Sequence, residues 1–180
     1  MGWKDKFAKK EFTERQQKYA ALRRVRGLVT PQLMLGNNPV SGNADLVKKV
    51  DREADAKPDF SISVAPKIDG TKIVATITLK KLTPGATLTP TTQIIPLLVR
   101  NRATTKPTLG ENKGAALVEH FTVLQAATPV LASTALNQVI TVTFDRPESL
   151  DADNLNVSVL LEDSERLTTL ECVSEAISGK

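Results

Sequence analysis

From Phe60 onward the apolar residues of this 180-residue chain recur at every second position, and that period is what most restricts its fold. Phe60, Ile62 and Val64 alternate with polar or small residues. After an Asp69-Gly70 turn signal, Ile73, Ala75, Ile77 and Leu79 alternate again. Successive side chains of a strand point to opposite faces, so such a run buries one face and wets the other. Two of them joined by Asp-Gly read as a hairpin. Further strand runs are expected at residues 93 to 100, 117 to 126, 138 to 144, 155 to 161 and 167 to 173. In the fourth of these, Leu155, Val157, Val159 and Leu161 share one face; in the third, Ile140, Val142 and Phe144 do. Seven strands in about 120 residues, parted by turn residues and without a helical pattern, imply an antiparallel immunoglobulin-like sandwich over residues 57–180.

The period upstream is different. Residues 12 to 26 read as a helix in which Thr13 and Gln16 fit a capping box, Tyr19, Leu22 and Val25 form the apolar stripe, and Arg15, Lys18 and Arg26 cover the other faces. Gly27 suits the helix end. Leu28 to Leu35 reads as a short buried strand interrupted by Pro31, and Gly36-Asn37-Asn38-Pro39 as a turn into a second short strand. Ser41-Gly42-Asn43 offers caps for a helix with Leu46, Val47, Val50 and Ala54 on one face and Lys48, Lys49, Arg52 and Glu53 on the other. Ala56-Lys57-Pro58-Asp59 marks the boundary, so two units are expected, 1–56 and 57–180. Charge divides there too: residues 1–58 hold 13 Lys or Arg against 7 Asp or Glu, whereas the remainder holds 11 against 13.

Composition narrows the chemistry. Cys172 is the only cysteine, which excludes an intrachain disulfide, a Cys-x-x-Cys redox pair and a cysteine-based zinc site. No stretch approaches the roughly 20 apolar residues of a membrane-spanning helix. The basic start Met1-Gly2-Trp3-Lys4 is not followed by the apolar core of a signal peptide, so a cytoplasmic location is expected on expression from Met1.

Several ordered motifs resemble one family. Gly2-Trp3-Lys4-Asp5, Phe12-Thr13-Glu14-Arg15-Gln16 with Tyr19, Arg26-Gly27, Thr30-Pro31-Gln32 and Gly36-Asn37 look like the second half of the thioredoxin-like domain in a family of secreted bacterial proteins of unknown function. Gly110-Glu111-Asn112-Lys113-Gly114, with Leu117 and Glu119-His120-Phe121, resembles a loop-and-strand motif of that family's C-terminal sandwich. The resemblance implies an α+β fold, a partial thioredoxin-like α/β unit followed by the sandwich, and a periplasmic or secreted location. It also implies a cis peptide at Thr30-Pro31, two residues that would line a substrate groove. Family members carry a first βα unit and a cysteine pair upstream of the Gly-Trp-Lys-Asp stretch, and the chain departs from the family there.

The remaining candidates have plain structural readings. His120, the only histidine, lacks partners for a metal site or a triad. Asp151, Asp153 and Glu162 stand at three calcium-loop positions, but Leu155 and the strand pattern after it spoil the motif; Asp145 with Asp151 and Asp153 is a looser alternative. Arg15, Lys18, Arg23, Arg24 and Arg26 form a basic face that reads as solvated, so nucleic acid is disfavoured as a partner. The loop formed by Gly110, Glu111, Asn112, Lys113 and Gly114 lacks a phosphate-binding pattern. Cys172 reads as a buried small hydrophobe. No cofactor and no metal is implied. The expectation is a non-catalytic binding or structural module that meets itself or a protein partner through residues 1–56. The alternative is part of a thiol-disulfide oxidoreductase whose cysteine half lies upstream or on another chain, and a basic-helix binder of nucleic acid ranks third.

Overall fold

The computed structural model describes residues 5–24, 33–35, 38–40, 46–148 and 154–177. In chain order these form α1 (Lys10–Leu22), β1 (Leu33–Leu35), β2 (Asn38–Val40), α2 (Leu46–Ala54), β3 (Phe60–Asp69), β4 (Lys72–Lys81), β5 (Thr92–Thr105), β6 (Leu117–Ala126), β7 (Val130–Leu131), α3 (Ala132–Ala135), β8 (Val139–Asp145), β9 (Leu155–Asp163) and β10 (Thr168–Ala176). The hairpin expected from the Asp69-Gly70 signal is β3–β4, in unbroken register from Phe60↔Lys81 to Asp69↔Lys72. Gly70 turns it at φ 57, a conformation that costs glycine little because it has no Cβ.

Two antiparallel sheets face each other. One has the order β3-β4-β8; the other has the order β10-β9-β5-β6, with β7 pairing beside β6 on β5. Their shared core is what the alternation dictates. Ile73, Ala75, Ile77 and Leu79 of β4 are wholly buried, and Ile94, Leu98, Val157, Val159 and Leu161 meet them from the larger sheet. Burying each large aliphatic side chain is worth about 1.5–3 kcal/mol, so this interleaved layer dominates stability.

Pro96 lies inside β5, a strand with neighbours on both sides, where a missing N–H should cost a ladder bond. It is accommodated by a gap. β7 pairs with Gln93 and Ile94, β6 starts pairing at Leu97, and between them the Pro96 carbonyl accepts from the Ala127 N–H at 3.0 Å. No strand asks Pro96 for a donor on that side. A corner is closed by a side chain: the Gln125 amide donates to the Asp145 carbonyl at 2.7 Å and accepts from the Asp145 N–H at 3.1 Å, tying edge strand β6 to edge strand β8.

The expected α+β class is overturned. Of the described residues 51% are strand and 18% helix, and every pairing of named strands is antiparallel. β1 and β2 are three residues each and, among the described strands, pair only with each other, so they add no larger sheet beside the sandwich. Short motifs can match locally, but a helix followed by a three-residue strand brings no sheet with it. Thr30 and Pro31 lie outside the described residues, as do Gly27, Gly36, Asn37 and the Ser41–Asn43 stretch. No helix among the described residues is long and apolar enough to cross a membrane.

The core predicts a steep contrast between two aliphatic side chains. Leu79→Ala should lower unfolding free energy by about 2–5 kcal/mol in urea titration. Val139→Ser, at a residue 67% exposed on edge strand β8, should stay within about 0.5 kcal/mol of the parent.

Candidate interaction surface of the N-terminal segment

α1 begins two residues earlier than its sequence pattern indicates. Lys9 is its N-cap, no side chain caps it, and the Thr13 hydroxyl reaches back to the Lys9 carbonyl from inside the helix. The capping box is therefore not used. The helix ends at Arg23 and Arg24, the latter in the left-handed region at φ 51, before Gly27 is reached. Its inward face is also rotated from the expected stripe. Phe12, Arg15, Gln16, Tyr19 and Arg23 are half-buried, whereas Leu22 is 48% exposed.

The cause of that rotation is electrostatic. Glu162, near the end of β9, is 1% exposed, and a buried carboxylate is costly unless paired. Arg15 supplies the pair in bidentate form: Nη1 donates to Oε1 at 2.9 Å and Nη2 donates to Oε2. Nη2 also reaches the Tyr19 hydroxyl at 3.3 Å, and that hydroxyl donates to the Leu167 carbonyl at 3.4 Å. The hydrogen bonds that Arg15 donates to Glu162 raise its pKa against the opposing effect of burial. Burial in turn raises the Tyr19 pKa, against the pull of Arg15. Sequence reading placed Arg15 on a wet face because nothing in the helix itself announces an acid 147 residues away.

Between α1 and the outer face of the larger sheet lies a groove of about 350 Å³. Phe12 and Arg15 overhang it, and Leu97, Val123, Pro129 and Leu160 are among its apolar lining. With Arg15 paired to Glu162, the groove lining is mainly apolar, and Glu11 is the other charged residue on it.

Asp163, next along β9, serves the opposite purpose of locking a turn. It accepts from the hydroxyls of Thr89 at 3.1 Å and Thr91 at 3.0 Å, and from the N–H groups of Glu165 at 3.0 Å and Arg166 at 3.1 Å. Burial opposes its ionisation, but the donors at Arg166, Thr91, Glu165 and Thr89 outweigh that and hold the carboxyl below the usual carboxylate range.

Neither helix has a fully buried residue, but α1 has a half-buried face whereas in α2 only Leu46 is half-buried and the rest is exposed. Val47 is 65% exposed and Val50 43%, on the face that also carries Leu46 and Ala54. An isolated helix of nine residues is marginal in water, so its stability has to come from something packed on that stripe. Its charges do not help it. Lys48 and Lys49 lie near its positive end, while Asp51 and Glu53 lie toward its negative end with only Arg52 to offset them.

The other sequence candidates separate. Gly110, Glu111, Asn112 and Gly114 form an exposed turn between β5 and β6, with Gly110 and Gly114 both at φ 81 and the Gly114 N–H on the Pro107 carbonyl at 2.9 Å. His120 is exposed on β6 opposite Arg102, away from that turn's backbone bonds. Glu162 belongs to a strand and to Arg15, and Asp145 pairs with Lys72; Asp151 and Asp153 lie outside the described residues. Cys172 is exposed, not buried, because Val173 takes the core-facing position on β10. Partial desolvation, and then the neighbouring Glu171, raise its thiol pKa and keep it protonated.

Residues 1–162 match the family described as protein of unknown function (DUF1223). The chain belongs to that family. No curated protein matches it. Among solved structures it is similar to a domain of the outer membrane lipoprotein Omp28 from Porphyromonas gingivalis, with 16% identity over 67% of this chain and 88% of that one and a TM-score of 0.43. It is also similar to a DUF3823 family protein from Bacteroides ovatus, with 20% identity over 67% of this chain and 57% of that one and a TM-score of 0.34. Likenesses of that size decide neither fold nor function.

Two predictions follow from the acids of β9. Arg15→Ala strands the Glu162 charge and should cost about 1–3 kcal/mol, discounted because the Arg15 side chain is 36% exposed; the Arg15→Met, Glu162→Leu double variant should recover most of it in chemical denaturation. A depressed carboxyl contributes stability above its unfolded pKa and loses it as pH falls through the folded value. The parent should therefore lose stability below about pH 4, and Asp163→Asn should show a flatter profile in thermal melts across that window.

Proposed function

We propose that the protein is a non-catalytic binding or structural module that associates with a second copy of itself through α2. The observation that carries this is the uncovered apolar stripe of a helix too short to be stable alone. The charge order of α2 supports a copy as the occupant. Set antiparallel, the basic start of one helix, Lys48 and Lys49, lies beside Glu53 of the other, and each helix meets at its positive end the acids its own sequence withholds. The two acids buried in β9 support a non-catalytic reading, since their hydrogen-bonding capacity is taken up by Arg15, Thr89, Thr91 and the turn. The motifs shared with secreted bacterial proteins support a periplasmic or secreted location.

Size-exclusion chromatography with light scattering tests the pairing. A concentration-dependent dimer is expected, weakened at least about tenfold in Val47→Asp, Val50→Asp, which corresponds to about 1.4 kcal/mol. Lys48→Glu, Lys49→Glu should weaken it likewise and mixing with a Glu53→Lys chain should restore a heterodimer. A strict monomer at every concentration overturns the proposal.

A further inference from the structure

At the N-terminal end of α1 a second cleft opens, of about 350 Å³, and its charge is of one sign. Lys6, Lys9 and Arg100 line it, and no acidic side chain does among the described residues. Lys6 and Lys9 come from the stretch leading into α1, with Lys6 5.0 Å from the Phe7 ring centroid and Lys9 donating to the Leu124 carbonyl. Arg100 comes from β5 and faces Thr122 of β6 across the ladder.

Arg100 is the unusual member. Its Nε is buried and has no hydrogen-bond partner, whereas buried guanidinium nitrogens are ordinarily satisfied. Arg100 as a whole is half-buried in the cleft wall, so an acceptor in the cleft would meet a guanidinium whose Nε is still unsatisfied. The start of α1 adds to the same field. Lys9 is its N-cap, no side chain caps it, and the positive end of a 13-residue helix favours an anion nearby. Four uncharged residues, Phe7, Val123, Leu124 and Pro147, complete the wall and favour an apolar body behind the anionic head.

We propose that this cleft binds an oxyanion, a carboxylate or a phosphate, carried on an apolar body. Arg100 supplies directional N–H donors, Lys6 and Lys9 supply point charge, and Phe7 with Val123 and Leu124 holds the apolar portion. The α1 docking that Arg15 and Glu162 enforce holds the basic lead-in segment over β5 and β6. The site is separate from the α2 stripe and does not require the chain to dimerise.

Isothermal titration at low salt, with chemical-shift mapping, tests it using three probes: hexanoate, inorganic phosphate and the neutral control 1-hexanol. Saturable binding of hexanoate or phosphate is expected, centred on Arg100 and Leu124 and weakening as salt is raised. Phosphate binding alone assigns a phosphate head, and tighter hexanoate assigns a carboxylate. Arg100→Gln should reduce the affinity at least about tenfold, Arg100→Lys less, and Lys6→Gln should reduce it while leaving the Lys9 bond to the Leu124 carbonyl in place. Light scattering on Arg100→Gln should match the parent, so loss of anion binding and loss of self-association are read separately. Hexanol binding as tightly as hexanoate, parent-like affinity in Arg100→Gln, or no binding of either anion overturns the proposal.

Discussion

A strand that carries a carboxylate into a dry place obliges the rest of the chain to bring a cation to it, and the arrangement of this protein's first 24 residues answers that demand. Glu162 is 1% exposed on the outer face of the larger sheet. The guanidinium that meets it sets which side of α1 turns inward, fixes the helix above β5 and β9, and so determines both the groove under the helix and the basic cleft at its start. Exchanging the pair for apolar residues need not weaken the fold, because buried ion pairs often contribute little net stability. What the pair supplies is orientation. A helix held only by Phe12 and Tyr19 could roll, whereas a bidentate contact has one geometry.

The sequence was most legible where burial alone decides. β3 and β4 follow from strict alternation and an Asp-Gly turn, and β6 and β9 begin where their apolar runs begin, because a period of two has only one way to face a core. It was least legible where the deciding partner is far along the chain. Tyr19, Leu22 and Val25 looked like the buried stripe of α1 on spacing alone, yet Leu22 is exposed and Arg15 turns inward, since helical spacing cannot register Glu162. Thr13 had the chemistry of a cap and sits one turn too late to act as one. β7 and α3 are too short, at two and four residues, to produce any periodic signal. The thioredoxin-like expectation failed for the same reason of scale: local motifs matched, but sheet topology is a property of pairings over long separations.

Neighbouring residues of β9 show how one strand serves unlike ends. Leu161 points into the shared core, Glu162 points out to a helix, and Asp163 gathers the Thr89–Thr92 turn, each a consequence of the strand's alternation and of which element passes nearby. Cys172 on the adjacent strand illustrates the converse: an apolar-looking residue is left outside because its neighbour holds the inward position.

The place of β9 in the chain has a temporal consequence. It pairs with both β5 and β10 and supplies Leu155, Val157, Val159 and Leu161 to the core, yet among the described strands only β10 leaves the ribosome after it. β3, β4 and β8 can form their sheet earlier, but its apolar face stays bare until residues 155 onward arrive. At roughly 5–20 residues per second, α1 emerges well before Glu162 exists. During that interval the nascent chain exposes an unsatisfied helix and half a core together, so its safe synthesis depends on whatever shields apolar chain at the exit tunnel.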